Sequence, residues 1–586
     1  MHKIVVLAAL AVLLQAPAAM AKPAAIDDFL GPILASPAEP GIIKSRCDQM
    51  LAEADRRLNE LELEHGAATI GRTLQRYDDL HKLLTDAGNE FTLYQQVSGD
   101  QERRDAGSDC VVRLTSEATK LSLSRRVYDR LKAIDGRRAD PATRLYLTRT
   151  LQAFERAGVD QPLAKRAEIQ ALQEKIARAS ADFESNIAKG RKTVMADPAE
   201  LAGLPPDFLR AHPPAPDGKI TISTDYTDYI PVMAYAASSP LRRRLYLAFQ
   251  TRAYPENDAR LREILDWRQQ LAMKLGRPNY AALALEDKML DTPDKVERLI
   301  HDMAEAARPA AERDYARKLA LLRTINPAAS QIEPWDNSWL SQQVQKRDYA
   351  YDRQEARRYF AYDIVRNGIL RLTEGLFGVE IRPWQTPVWD RSVEAYEMFD
   401  NGRLIGRFYF DSHPRPGKYS HANAISLRDG VAGRVVPLAA LVMNLPAGGH
   451  ATGLMEHDDV VTFLHEFGHL LHTIFGGQQR WQGQAAQGLR GRRQRQPDSA
   501  RAGRENEQGA LLRPRHGRHA PARPLQCLAA LPPRLGPGRP RRRLPRLPGA
   551  IRPHPPIARG RKPGQLRPPH RLLRVLLHLP LVEGDR

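Results

Sequence analysis

Apolar residues recur at three- and four-residue intervals through most of the first 200 positions. The clearest stretches are "RCDQMLAEADRRLNELELEH" (46–65) and "RAEIQALQEKIARASADFESNIAKG" (166–190). This spacing predicts long amphipathic helices packed on one another between Ile26 and about Ala196. Five prolines in "LAGLPPDFLRAHPPAPDGK" then break the pattern, so Asp197 to Lys219 reads as a loop before a short strand-like "ITIST". Helical spacing resumes near Pro240 and runs to about Phe377. Two strand-like pieces follow: "RLIGRFYFDSHPR" (403–415) alternates, and "RVVPLAALVMNLPAGG" (434–449) is an apolar run closing in glycines. The final ordered pattern is a helix within "VVTFLHEFGHLLHTIFGGQQRW", Val460 to Trp481. Asp458 and Asp459 stand where they can cap it, and Gly476-Gly477 stops it. The expected fold is mainly α, with a small sheet beside this last helix and enough chain for a core in more than one lobe.

Polar residues interrupt the apolar pattern of that helix. His465, Glu466 and His469 spell H-E-x-x-H, which puts two imidazoles one turn apart on one face. Two such groups can share a zinc ion, and a carboxylate beside the first can act as general base toward water. The competing reading is a purely structural trio. It is the weaker one, because three unpaired polar groups in an otherwise apolar helix are costly to bury. His457 and His472 flank the trio and read as packing or supporting residues.

The segment "FLHEFGHLLH" closely resembles the signature of the thimet-oligopeptidase-like zinc metallopeptidases, the family of neurolysin and bacterial dipeptidyl carboxypeptidase. "YFDSHPRPGKYSHANA" (409–424), "TDYTDYIPVMAYA" (224–236) and "RPNYAALALEDKM" (277–289) resemble further segments of that family in the same order. The resemblance covers roughly residues 25–480. It implies a two-lobed helical zincin with a deep channel that admits short peptides. One Zn2+ would be held by His465 and His469, with Glu466 as the general base. Tyr419, His421, Gly448 and Gly449 are expected to line the substrate cleft. An endo-acting oligopeptidase is the preferred reading, with a dipeptidyl carboxypeptidase as the alternative within the family. A non-catalytic peptide-binding relic is the alternative outside it. The family's third zinc ligand is a Glu about 25 residues beyond the second His, in a segment resembling D-F-V-E-x-P-S-Q. Here that position is Gln494 within "RGRRQRQPD", so the third ligand is missing from this sequence. Glu505 and Glu507 are the nearest downstream glutamates and fit the role poorly; Glu456 is a further fallback.

Composition changes abruptly at the same place. Residues 481–586 hold 23 Arg and one Lys against five acidic residues, which accounts for the whole formal charge of +19. The first 480 residues balance at 64 of each sign. The tail also has 17 prolines and, after Trp481, no Phe, Tyr or Trp. Such a composition cannot build an ordinary core, and the tail is expected to be disordered. A nucleic-acid-binding arm would want aromatics for base stacking and has none. A shifted reading frame in GC-rich coding DNA explains the Arg, Pro and Gly together. "VLLHLPLVEGD" (575–585) can be encoded so that starting one base later reads Y-Y-F-T-Y-L-W-S-K-V-I, which resembles the family's Y-x-Y-L-W region. "HGRHAPAR" (516–523) can likewise read T-G-D-T-P-L-P-A, resembling a family turn.

At the other end, Lys3 precedes an apolar run from Ile4 to Leu14 and then Ala19-Met20-Ala21, the pattern of a secretory signal peptide cut after Ala21. The run is too short to span a membrane. A soluble monomer in the periplasm or outside the cell is expected, with no nucleic-acid partner. Cys47 and Cys110 could pair in such a compartment, although two cysteines do not make a disulfide framework. The expected organisation is a leader (1–21), an N-terminal helical region (22–200), an incomplete peptidase region (201–480) and the frameshifted tail (481–586). Translating the coding DNA one base later beyond about codon 481 should recover uninterrupted D-F-V-E-like and Y-x-Y-L-W-like segments. A confirmed gene lacking both in every frame would instead favour the relic.

Overall fold

Both stretches quoted for their helical spacing are helical in the computed structural model, which describes residues 32–33, 39–447 and 453–481. The N-terminal part comprises α1 (Pro40–Glu62), α2 (Gln75–Val97), α3 (Gln101–Ser122), α4 (Arg125–Lys132), α5 (Pro141–Ala157) and α6 (Leu163–Lys189). A two-stranded antiparallel ribbon, β1 (Thr193–Ala196) with β2 (Ile220–Ser223), brackets the proline-rich segment. That segment is not a plain loop. It contains a 3-10 turn at Pro198–Leu201 and the short α7 (Pro206–Ala211), because proline is well suited to a first helical position. Next come α8 (Tyr226–Tyr235), α9 (Ser239–Gln250), α10 (Glu256–Lys274), α11 (Tyr280–Leu285) and α12 (Pro293–Ile325). The helical run ends with α13 (Asn337–Tyr349), α14 (Arg353–Arg357) and α15 (Tyr362–Phe377). The H-E-x-x-H segment is α16 (His457–Gly476).

The sheet is larger than the sequence pattern suggests. It has five strands in the order β3-β4-β5-β7-β6: β3 (Val379–Pro383), β4 (Glu394–Asp400), β5 (Arg403–Asp411), β6 (Asn423–Arg428) and β7 (Leu438–Val442). Pairings are antiparallel except β5 with β7, which run parallel. Successive side chains point to opposite faces, and both faces are covered. On one side Tyr409, Ile425, Leu427, Ala440 and Val442 join the core of α1–α5. On the other, Phe408, Phe410, Ala439 and Leu441 meet α15 and α16 through Phe463, Phe467 and Leu470. Burial on both faces is why β7 reads as an unbroken apolar run.

Three contacts lock this arrangement. Cys47 on α1 and Cys110 on α3 form a disulfide with Cα atoms 5.9 Å apart. Trp481 is buried, stacks on Tyr146 at 5.2 Å between ring centroids, and donates Nε1–H to Thr143 Oγ1 at 2.8 Å. The chain leaving α16 is thereby anchored on α5. Gly477 ends α16 in an ordinary right-handed conformation (φ −65°), so it is not the left-handed stop that the Gly-Gly pair suggests. Close approach is what requires glycine: a Cβ there would lie 2.8 Å from Pro437 and 2.9 Å from the Cα of Gly430. Alanine at 477 should therefore lower stability by about 1–3 kcal/mol in urea denaturation. Alanine at 88, a position in α2 with no atom within 4 Å of a new Cβ, should raise it by about 0.5–1 kcal/mol.

Candidate active site

Both ends of α16 are held before its middle presents any chemistry. Glu456, not Asp458, is the N-cap residue, and its backbone N–H donates to the Asp459 carboxylate at 2.8 Å. The Glu456 carboxylate accepts from Tyr235 Oη at 2.7 Å and pairs with Arg357 at 3.1 Å, while Arg357 also pairs with Asp207 at 2.8 Å. Asp458 pairs with Arg353 at 2.9 Å. Glu456 is thus committed to starting the helix. Nine residues ahead of His465, it lies roughly 13 Å away along the helix axis, which removes it as a fallback metal ligand.

In the middle of α16, the Nε2 atoms of His465 and His469 approach to 3.1 Å, with ring planes at 74°. Two nitrogens bound to one tetrahedral zinc stand roughly 3.3 Å apart, so this pair fits one ion. Burial lowers the pKa of His469, helped by the neighbouring His465 and His472, which favours the neutral imidazole a metal requires. Glu466 is partly buried. Burial raises its carboxyl pKa, opposed by His465 and by a hydrogen bond from the Ala424 backbone N–H. That contact places the carboxylate at the start of β6, an edge strand of the sheet. Among the described residues, no group of three His, Cys, Asp or Glu side chains could hold a metal ion. The donor set on view is two histidines, with the third position unfilled among those residues. His457 is exposed at the first turn of α16, edge-on to Phe360.

Tyr419 and His421 lie in the β5–β6 connection and line a cleft of about 800 Å³. The H-E-x-x-H residues are not part of its lining; Ala424, three positions after His421, links the two places. Gly448 and Gly449 lie outside the described residues, as do Gln494, Glu505, Glu507, the expected leader and the tail beyond 481.

The pattern reading missed the charged knot that shapes this connection. Asp411, fully buried at the end of β5, accepts from Trp389 Nε1 at 2.7 Å, both Arg415 Nη atoms at 2.6 Å and Lys418 Nζ at 2.7 Å. Lys418 Nζ also donates to the carbonyls of Asp411 and His413, each at 2.8 Å, and to that of Met443. Arg415 reaches the Val97 carbonyl at 3.0 Å, and the Tyr419 N–H bonds Gln96 O at 2.7 Å. Burial works to raise the Asp411 pKa, but the Arg415 guanidinium and the Lys418 ammonium outweigh it and hold the carboxyl below its ordinary value. Burial draws Lys418 down to about 8; with oxygen acceptors around Nζ, the charged form is the one the geometry supports. The signal was present as the spacing D-x-x-x-R-x-x-K inside the quoted 409–424 segment.

Comparison with known proteins bears on what this arrangement serves. The model of peptidase family M3 matches residues 232–484. A thimet-like oligopeptidase of Dictyostelium discoideum is 26% identical over 459 residues, covering 74% of this chain and 68% of its own length. Oligopeptidase A of Escherichia coli is 28% identical over 347 residues, covering 55% of this chain and 51% of the relative. Saccharolysin of Saccharomyces cerevisiae is 27% identical over 419 residues, covering 66% and 59%. The chain therefore spans between about half and two thirds of the length of these relatives.

Replacing Lys418 with Met should cost about 3–5 kcal/mol in urea denaturation, because it strips a buried carboxylate of one partner. Since the Asp411 pKa is lowered on folding, its stabilisation is present above about pH 4 and is lost as pH falls through the folded value. Asp411→Asn should lose that share of the acid-side slope when stability is measured across pH.

Proposed function

Because this chain is a thimet-oligopeptidase-like member of peptidase family M3, we propose that it hydrolyses bonds inside short peptides with one zinc ion and Glu466 as general base. The observation that carries the proposal is the convergence of His465 and His469 Nε2 at 3.1 Å, one residue from a carboxylate at the edge of a sheet. His465 and His469 would hold the ion. Bound there, zinc supplies Lewis acidity, which polarises a carbonyl and makes water a nucleophile near neutral pH. Glu466 takes the proton from the attacking water and passes it to the leaving amine. The edge strand β6 offers backbone groups that can pair with an extended substrate. No serine or cysteine nucleophile is needed.

A catalytic zinc site takes three protein ligands and leaves one position open. The third belongs in the segment that follows Trp481 in the family pattern, and the family match itself stops at residue 484. The chain as written therefore holds zinc weakly and turns peptides over near background, while the same protein in its restored frame is the active enzyme. Export fits the leader pattern at 1–21, and the Cys47–Cys110 disulfide suits an oxidising compartment such as the periplasm.

Three proteins decide this: the chain as written, the frame-restored chain, and the restored chain with Glu466→Gln. Zinc content after dialysis should be low in the first and near one per chain in the other two. Cleavage of an internally quenched peptide should be at background in the first and chelator-sensitive in the second. In the third it should fall by roughly two to four orders of magnitude. Comparable chelator-sensitive activity from the chain as written would sink the missing-ligand account.

A further inference from the structure

The ladder between β6 and β7 ends where Asn423 stands opposite Val442. Antiparallel partners keep a constant sum of positions, so the register carried two steps further sets His421 opposite Asn444. The strand pair does not extend that far, because β6 begins only at Asn423. A side chain spans the gap instead. Asn444 Nδ2 donates to the Tyr419 carbonyl at 2.8 Å and to the His421 carbonyl at 3.1 Å, which uses both hydrogens of that amide. On its other side the chain past β7 keeps to β5: the Met443 N–H donates to Asp411 O at 2.8 Å and the Leu445 N–H to Ser412 O at 2.7 Å. The two strands therefore splay at Asn444.

Asn444 is itself held on both sides. Lys418 Nζ donates to the Met443 carbonyl just before it, and His413 Nδ1 bonds the Leu445 carbonyl just after it at 3.1 Å. The backbone beneath the asparagine thus belongs to the Asp411 knot, and its amide is a fixed donor. From the other direction, Gln96 of α2 supplies acceptors. Its carbonyl takes the Tyr419 N–H at 2.7 Å, and its Oε1 takes Asn423 Nδ2 at 3.2 Å. Donors from Asn444 and acceptors from Gln96 together fix residues 419–423, a stretch that has no ladder of its own. One residue later the Ala424 N–H meets Glu466.

Removing the Asn444 amide frees two carbonyls at once. Tyr419 and His421 are not buried, so water can take over those carbonyls, and the connection is then no longer tied to the end of β7. Three residues separate His421 from Ala424, roughly 10 Å of extended chain, so a displaced connection carries the start of β6 with it. Misplacement on the order of 1 Å is enough to cost a catalytic group much of its effect. We propose that Asn444 is a positioning residue: its side-chain amide fixes the splay of β6 from β7 and so sets where the Ala424 N–H meets the Glu466 carboxylate. It acts through the backbone of 421–424 and not on the reacting groups. Its effect on turnover rests on the peptide-hydrolysis reading above; its effect on the connection does not.

Two measurements test it. The first is amide hydrogen exchange on the full chain as written, which needs no turnover. Asn444→Ala should speed exchange across residues 419–424 about tenfold or more, and leave α2 and β7 within about twofold. Asn444→Gln, which keeps the donors on a longer side chain, should restore part of the protection and carries the comparison if the alanine variant fails to fold. The second is cleavage of the quenched peptide by the frame-restored protein. There Asn444→Ala should lower kcat about tenfold with KM within about twofold and zinc content unchanged, and Asn444→Gln should recover part of the loss. Unchanged exchange at 419–424 overturns the proposal. So does faster exchange spread evenly over α2 and β7, the mark of a merely structural residue, or an unaltered kcat in an active restored protein. An inactive restored parent sinks the peptide-hydrolysis reading instead, and the exchange comparison still decides whether Asn444 holds the splay.

Discussion

Asp411 carries the charge on which the geometry of the site depends. A carboxylate with no exposed surface is tolerable only where donors meet it from several sides, and Trp389, Arg415 and Lys418 do so. Those donors do not stop at Asp411. Through Lys418 they reach the Met443 carbonyl just past β7, and through Arg415 the Val97 carbonyl at the end of α2. One buried charge therefore fastens the parallel strand pair, the β5–β6 connection and the N-terminal helices to one another. Tyr419 and His421 inherit fixed positions from it, and the start of β6, where Ala424 meets Glu466, follows only three residues later.

The sheet transmits that order to α16. Its far face packs directly under Phe463, Phe467 and Leu470, and glycine is what permits the closest approaches. A Cβ at Gly406 would stand 2.5 Å from Ile474, and Gly430 and Gly477 touch backbone to backbone. With the first turn held by Tyr235 and Arg357 and the last by this contact, the helix has little freedom to rotate. The two histidines then converge without needing contacts of their own beyond each other.

Two places flank β6. Glu466 and the two histidines stand at its junction with α16, whereas the cleft of Tyr419 and His421 opens at the β5–β6 connection. Acids and bases balance over the first 480 residues, and the cleft pairs most of its charges internally.

The sequence by itself determined the mainly helical class and the helix carrying His465, Glu466 and His469. Each of these is a local matter of apolar period, residue type or composition, readable from neighbours in the chain. Strands β5 and β7 were legible for the same reason. β3, β4 and β6 were not, since short strands such as "VEIRP" and "NAISLR" gain their identity from partners that lie elsewhere in the chain. Pairing of Cys47 with Cys110 depended on how α1 and α3 pack, which brings their Cα atoms to 5.9 Å across 63 residues. Glu456 was a fallback ligand on paper, and Tyr235 and Arg357, 221 and 99 positions away, hold it instead at the start of α16. The Asp411 knot and the pairing of Arg357 with Asp207 are likewise meetings of distant segments. Tertiary structure alone decided them, because a buried charge is stabilised by where its partners are in space.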